Sequence, residues 1–135
     1  MRKIKHIVCH CTATDQDAKV DAILNYWRTK LGWKNPGYHF LIEENGKIHN
    51  LQPLEKPSNG VRGYNSTSIH ISYIGGKDKD DRTDAQKRSM LAVVMTLSAM
   101  YPNAIIQGHR DFPNVNKSCP RFDAIEEFSH YQPQV

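Results

Sequence analysis

Apolar and polar positions along this chain fall into two rhythms, and each rhythm predicts a kind of element. Ile4 to Cys11 is a β-branched run that reads as a first strand, closed by the polar turn Thr12–Asp17. Alternation along it puts His6, Val8 and His10 on one face and Ile7, Cys9 and Cys11 on the other. From Asp17 to Leu31 the apolar residues Val20, Ile23, Leu24, Trp27 and Leu31 recur at helical spacing, with Asp15 or Asp17 as the cap and Gly32 as the stop. Tyr38–Glu44 and Lys47–Asn50 flank Asn45-Gly46, a strong hairpin signal. Residues 51–65 show no periodicity and read as a long surface loop. Ser68–Ile74 is a fourth strand.

Thr83-Asp84-Ala85-Gln86 is a capping box that opens a second long helix reaching about Met100. Met90, Val94, Leu97 and Tyr101 form its stripe, and Leu91, Val93 and Met95 widen that stripe into a well-buried helix. Ala104–Gln107 is a fifth strand. Phe122, Ile125 and Phe128 pattern a short last helix within Arg121–Tyr131, and residues 132–135 read as a frayed tail.

The resulting order is β, α, β, β, β, α, β, α. Strands separated by helices imply parallel crossovers, while the central hairpin adds an antiparallel pair. The fold class expected is α/β: a single domain over residues 1–135, with a central, mixed, mostly parallel sheet of about five strands flanked by helices. No internal repeat or linker interrupts it.

Composition changes this picture little. The chain of 135 residues is 39% hydrophobic and 24% charged, ordinary for a globular protein. Its longest apolar run, Met90–Met100, is too short for a bilayer, so no membrane partner is expected. The basic N-terminus, Met1–His6, is not followed by an apolar h-region. The expectation is a protein made in the cytoplasm that reaches any outer target after lysis or by another export route. A net charge of +4 suits an anionic partner only mildly. Three cysteines without a signal peptide favour reduced thiols over a disulfide framework.

The densest chemistry lies in Gly108–Pro120, a loop after the fifth strand that carries His109, Lys117 and Cys119. Imidazole and thiolate are strong zinc donors. Strand ends are where an α/β sheet presents its chemistry. If the first and fifth strands run parallel and adjacent, His10 and His109 emerge at the same edge, and Cys119 completes a His₂Cys set. Three protein ligands leave a fourth tetrahedral position open, the arrangement of a catalytic zinc. His6, His39, His49 and His70 have no fixed spacing to this set. Cys9 and Cys11 point away from His10 along the strand and read as small buried hydrophobes. Taken alone, a histidine on a strand is more often a satisfied core group than a ligand.

Five blocks carry a family resemblance: Ile7–Thr14; Gly37–Ile42 with Asn45-Gly46; Gly63-Tyr64-Asn65 with Ser68-Ile69 and Gly75-Gly76; Gly108–Asp111; and Lys117–Pro120. In this order they resemble the zinc-dependent N-acetylmuramoyl-L-alanine amidases of type 2. That family includes small phage lysozymes and shares its fold with peptidoglycan recognition proteins. The resemblance spans roughly residues 4–128. It implies one Zn²⁺ per chain held by His10, His109 and Cys119, with Tyr38 and Lys117 as catalytic side chains. It also implies peptidoglycan as substrate, cut at the amide between N-acetylmuramic acid and L-alanine. Without it, Tyr38 reads as a core aromatic and Lys117 as a solvated charge.

Some positions depart from the pattern. Gly60 stands where phage members often have histidine, His70 where glycine is common, and the loop from His109 to Lys117 is slightly longer than in the shortest relatives. Substrate-groove residues are therefore hard to transfer; Arg62 and Tyr64 are the candidates for holding the stem peptide or the glycan. A monomer is expected, with no nucleic-acid partner. The alternative is a non-catalytic recognition module on the same fold, but such proteins typically lack the cysteine that Cys119 supplies here.

Overall fold

The computed structural model describes residues 2–134. Five strands, β1 (His6–Cys11), β2 (Phe40–Ile42), β3 (Ile48–Asn50), β4 (Ser68–Tyr73) and β5 (Ile105–Gly108), form one sheet in the order β3-β2-β4-β1-β5. β1 pairs in parallel with both β4 and β5, β2 pairs in parallel with β4, and the β2–β3 hairpin is antiparallel. The expected mixed, mostly parallel sheet is therefore present, with β1 at the position that brings both ends of the sequence together.

The two faces of the sheet differ in chemistry. Ile7, Cys9 and Cys11 of β1, Ile69, Ile71 and Tyr73 of β4, and Ile42 and Ile106 make one apolar core. Helix α2 (Asp84–Met100) closes that core with Met90, Val93, Val94 and Leu97, and α3 (Ala124–Glu127) adds Ala124 beside Phe122 and Phe128. The alternate residues, His10, Ser68, His70 and Ser72, face the other side and are also buried. There helix α1 (Val20–Asn25) packs Ile23, with Trp27, against Leu41 and Ile74. A second small cluster joins Val8, Val61 and Phe112. The alternation read from β1 is the alternation observed.

Local signals account for the ends of elements. Thr83 caps α2: its hydroxyl accepts from the Gln86 N–H while the Gln86 side chain accepts from the Thr83 N–H, each at 3.0 Å. Arg82, just before it, has a side chain only 1% exposed; it bonds Asp80 and Glu127 and lies 3.5 Å over the Phe122 ring. That arrangement ties the loop before α2 to α3, and a buried guanidinium needs such pairing.

Four expectations need correcting. Neither Asp15 nor Asp17 caps α1; the N-cap is Lys19, which makes no side-chain cap bond, while the Asp15 carbonyl accepts from the Ala18 N–H in a turn before the helix and its carboxylate faces Lys77 at 3.8 Å. Leu31 is exposed, because the helix continues as a π-helical segment (Tyr26–Lys30) whose wider turn rotates Leu31 off the face of Ile23 and Trp27. Leu91 and Met95 are exposed on the flank of α2, so its buried stripe is narrower than the sequence pattern implies. Residues 51–65 are not simply a surface loop: Ser58 and Val61 are buried within them.

The tail also differs from the reading as frayed. Gln132 lies against β5, its Oε1 accepting from the Ile106 N–H at 2.9 Å and its Nε2 donating to the Ile106 carbonyl at 2.7 Å. Val135 lies outside the described residues, as does Met1.

Candidate metal centre

The C-terminal ends of β1 and β5 lie side by side, and this places the donor atoms. Cys9 of β1 is level with Gly108 of β5, so His10 and His109 follow each other out of the sheet at one edge. Their rings stand 4.9 Å apart. After a 3-10 turn (His109–Asp111) the loop returns, and the Arg110 N–H bonds the Cys119 carbonyl at 2.9 Å. One donor atom each from His10, His109 and Cys119 then lie within 4.8 Å of one another. The Cys119 Sγ is 3.9 Å from the His10 Nδ1. Among the described residues this is the group of histidine, cysteine and carboxylate side chains able to hold a metal ion.

The donor set fits zinc: two imidazole nitrogens and one sulfur, close enough to contract onto a tetrahedral ion with one position open. Burial holds both histidines neutral, the form that ligates. His10 is held well below its ordinary pKa by burial and by the neighbouring His70, His109 and Lys117. His109 is lowered to about 4 by burial and by the Lys117 charge. The neighbouring Cys11 thiol and burial push the Cys119 thiol up, while the Cys11 amide and the Lys117 charge pull it down.

Other histidines are committed elsewhere. His6 Nδ1 bonds Gln107 Oε1 at 2.8 Å, His49 pairs with Glu43, and His39 bonds Ser58 and the Lys56 carbonyl. None closes the fourth position. Cys9 is fully buried on the apolar face, where burial pushes its thiol up to about 12. Cys11 is also on that face, but its backbone N–H reaches Cys119.

The three donors line a cavity of about 220 Å³ together with Tyr38, Gly60, Lys117 and the indoles of Trp27 and Trp33. The Tyr38 ring lies 5.0 Å from that of His10, and its hydroxyl donates to the Cys11 carbonyl at 3.3 Å. Burial raises the Tyr38 pKa, so the phenol keeps its proton. Lys117 is exposed at the rim. A larger hollow of about 430 Å³ shares Thr12, Trp27 and Tyr38 with this cavity and extends along α1 past Thr14, Ile23 and Tyr26. Arg62 and Tyr64 are not in the cavity lining. Arg62 is exposed, and Tyr64 packs its ring on Phe112, 4.7 Å away.

Sequence reasoning missed the floor of the site. Helical spacing places Trp27 in the core stripe, and it also lines the cavity. His70, which has no fixed spacing to the ligand set in the sequence, bonds His10 directly. The signal was available: Ser68, His70 and Ser72 alternate with Ile69, Ile71 and Tyr73, so β4 carries the same polar face as β1.

Comparisons with known proteins give the family and the fold neighbours. The family model described as N-acetylmuramoyl-L-alanine amidase matches residues 1–122, and the chain belongs to that family. The chain is 30% identical over 128 residues to the endolysin of Klebsiella phage KP32, covering 90% of this chain and 83% of the relative. It is 31% identical over 123 residues to the endolysin of Escherichia phage T7, covering 87% and 80%. Among solved structures, N-acetylmuramoyl-L-alanine amidase LysC from Clostridium intestinale superposes with a TM-score of 0.80 at 25% identity, over 93% of this chain and 82% of that one. A bumblebee PGRP-SA shares the fold alone: its TM-score is 0.81 at 18% identity, over 100% of this chain and 86% of that one.

Proposed function

We propose that the protein is a zinc-dependent peptidoglycan hydrolase that cleaves the amide between the lactyl group of N-acetylmuramic acid and L-alanine of the stem peptide. The observation that carries this reading is the convergence of His10, His109 and Cys119 within 4.8 Å in an open cavity. Family membership and the endolysin relatives support the substrate class.

When bound, zinc supplies a Lewis acid that brings the pKa of water towards neutrality and polarises a carbonyl. The chain's own residues do the rest. As the water oxygen bonds to the lactyl carbonyl carbon, charge develops on the carbonyl oxygen. Lys117, at the rim above His109, offers its ammonium to that oxygen. Tyr38 stays a neutral phenol beside His10 and donates a hydrogen bond, orienting water or substrate and passing a proton. The carbon–nitrogen bond then breaks, and the alanine nitrogen leaves protonated. The hollow along α1 has room for the stem peptide next to Tyr38. Trp27 and Trp33 give the cavity apolar walls that limit bulk water.

Digestion of purified peptidoglycan with mass analysis of the products tests this. New free L-alanine N-termini without new reducing sugar ends are expected. New reducing ends alone would replace the amidase with a glycosidase, and peptidoglycan bound but uncut would make the protein a recognition module.

A further inference from the structure

A ligand histidine must present a lone pair, so one ring nitrogen has to carry the proton and the other has to face the metal. The structure shows how that choice is made for His10. Its Nδ1 faces Cys119. Its Nε2 points into the sheet and meets the Nδ1 of His70 at 2.8 Å. His70 Nε2 in turn meets the Oδ1 of Asn65 at 2.9 Å, and that same oxygen accepts from the backbone N–H of Val61 at 2.8 Å.

The protons of the whole chain follow from its last member. A backbone N–H can only donate, so the Asn65 atom it meets is the carbonyl oxygen, which can only accept. His70 Nε2 must therefore carry a proton. Both rings are buried, and among the described residues no carboxylate bonds either of them, so each is neutral and carries one proton. His70 Nδ1 is then an acceptor, His10 Nε2 is its donor, and the lone pair of His10 is left on Nδ1, facing Cys119.

His70 is itself held in one pose. Its backbone N–H donates to His39 Nδ1 at 3.1 Å, and the two rings stack at 6.1 Å. On the other side the main chain of Gly60 passes so close that a Cβ there would stand 2.2 Å from His70 Nδ1. Any side chain at position 60 would displace the ring.

We propose that His70 is a positioning residue that locks His10 in its Nε2–H tautomer and so aims the Nδ1 lone pair into the metal site, with Asn65 setting the direction of the relay and Gly60 making room for it. This rests on the zinc reading above. Partners of this kind orient metal-bound histidines and are worth about 10- to 100-fold in metal affinity.

Two measurements test it. Long-range ¹H–¹⁵N correlation of the imidazoles in chelator-treated wild-type protein is expected to show both His10 and His70 as Nε2–H tautomers. A His10 found as Nδ1–H, or as a mixture, overturns the proposal whether or not any variant folds. In zinc titrations against a competing chelator, His70→Leu is expected to bind about 10- to 100-fold more weakly. His70→Asn, which keeps an acceptor facing His10, should recover most of that loss. A folded His70→Leu protein with wild-type zinc affinity overturns the role of His70 alone. A wild-type protein that takes up no zinc overturns the zinc reading, and this role with it.

Discussion

The backbone N–H of Cys11 donates to the sulfur of Cys119 across 3.2 Å, although 108 positions separate them. Because the donor belongs to the main chain of β1, this contact to the Cys119 sulfur is built into the sheet. The candidate metal site is thereby tied to β1.

Removing a donor should therefore empty the site without unfolding the chain. Cys119→Ala and His10→Ala are each expected to lose bound zinc and to lyse cell walls no faster than a blank. Elemental analysis of the purified variants, run beside a turbidity assay, checks this. Chelator-resistant lysis by a zinc-free wild type would count against the mechanism.

Lys117 separates chemistry from metal binding. Its side chain is exposed, so Lys117→Ala should change stability by less than about 0.5 kcal/mol. Turnover should fall by roughly 10²- to 10³-fold, the usual effect of deleting an oxyanion donor, with zinc content unchanged. A variant with wild-type kcat would remove Lys117 from the reaction.

Cys9 tests the orientation of β1. It is fully buried among Ile7, Ile71 and Ile106 on the apolar face. Cys9→Ala should retain a full equivalent of zinc and lose on the order of 1 kcal/mol of stability in urea titration. Loss of metal from the folded variant would contradict the strand orientation.

Acid should weaken the fold through His39. Burial, aided by the Arg2 charge and opposed by the Lys56 carbonyl, lowers the His39 pKa from 6.5 to about 4. Between those values the unfolded chain takes up a proton that the native protein refuses, so stability rises with pH through this window. Its contribution is complete above about pH 6.5 and is lost as the pH falls towards 4. The unfolding free energy of chelator-treated protein, from urea titration, is expected to drop between pH 7.5 and 4.5, by on the order of 1–3 kcal/mol for His39 alone. A flat free energy would show that His39 is not protonated on unfolding.

Much of this was legible in the sequence, because the signals were local. The alternation in β1 separated His10 from Cys9, and the capping box at Thr83 placed α2. The convergence of His10 with His109 and Cys119 followed from one topological condition, β1 beside and parallel to β5, which the sheet meets. What escaped had non-local causes. The π-helical turn that exposes Leu31 depends on how Trp27 packs between Ile23 and the cavity, and 3.6-residue periodicity cannot show it. The pairing of His70 with His10 joins adjacent strands through a diagonal contact, and the clearance at Gly60 comes from a loop without periodicity. Polar side chains on a buried face look like surface in the sequence until the element that covers them is known.

Gln132 has a consequence for how molecules of this protein meet. β5 is an outer strand of the sheet, and outer strands tend to recruit other chains through their open main-chain groups. By offering one amide oxygen and one amide nitrogen to Ile106, Gln132 imitates a single residue of a neighbouring strand. It occupies the place where a second copy would begin to zip on. One side chain thus covers part of the open edge of β5, beside the strand that leads to His109.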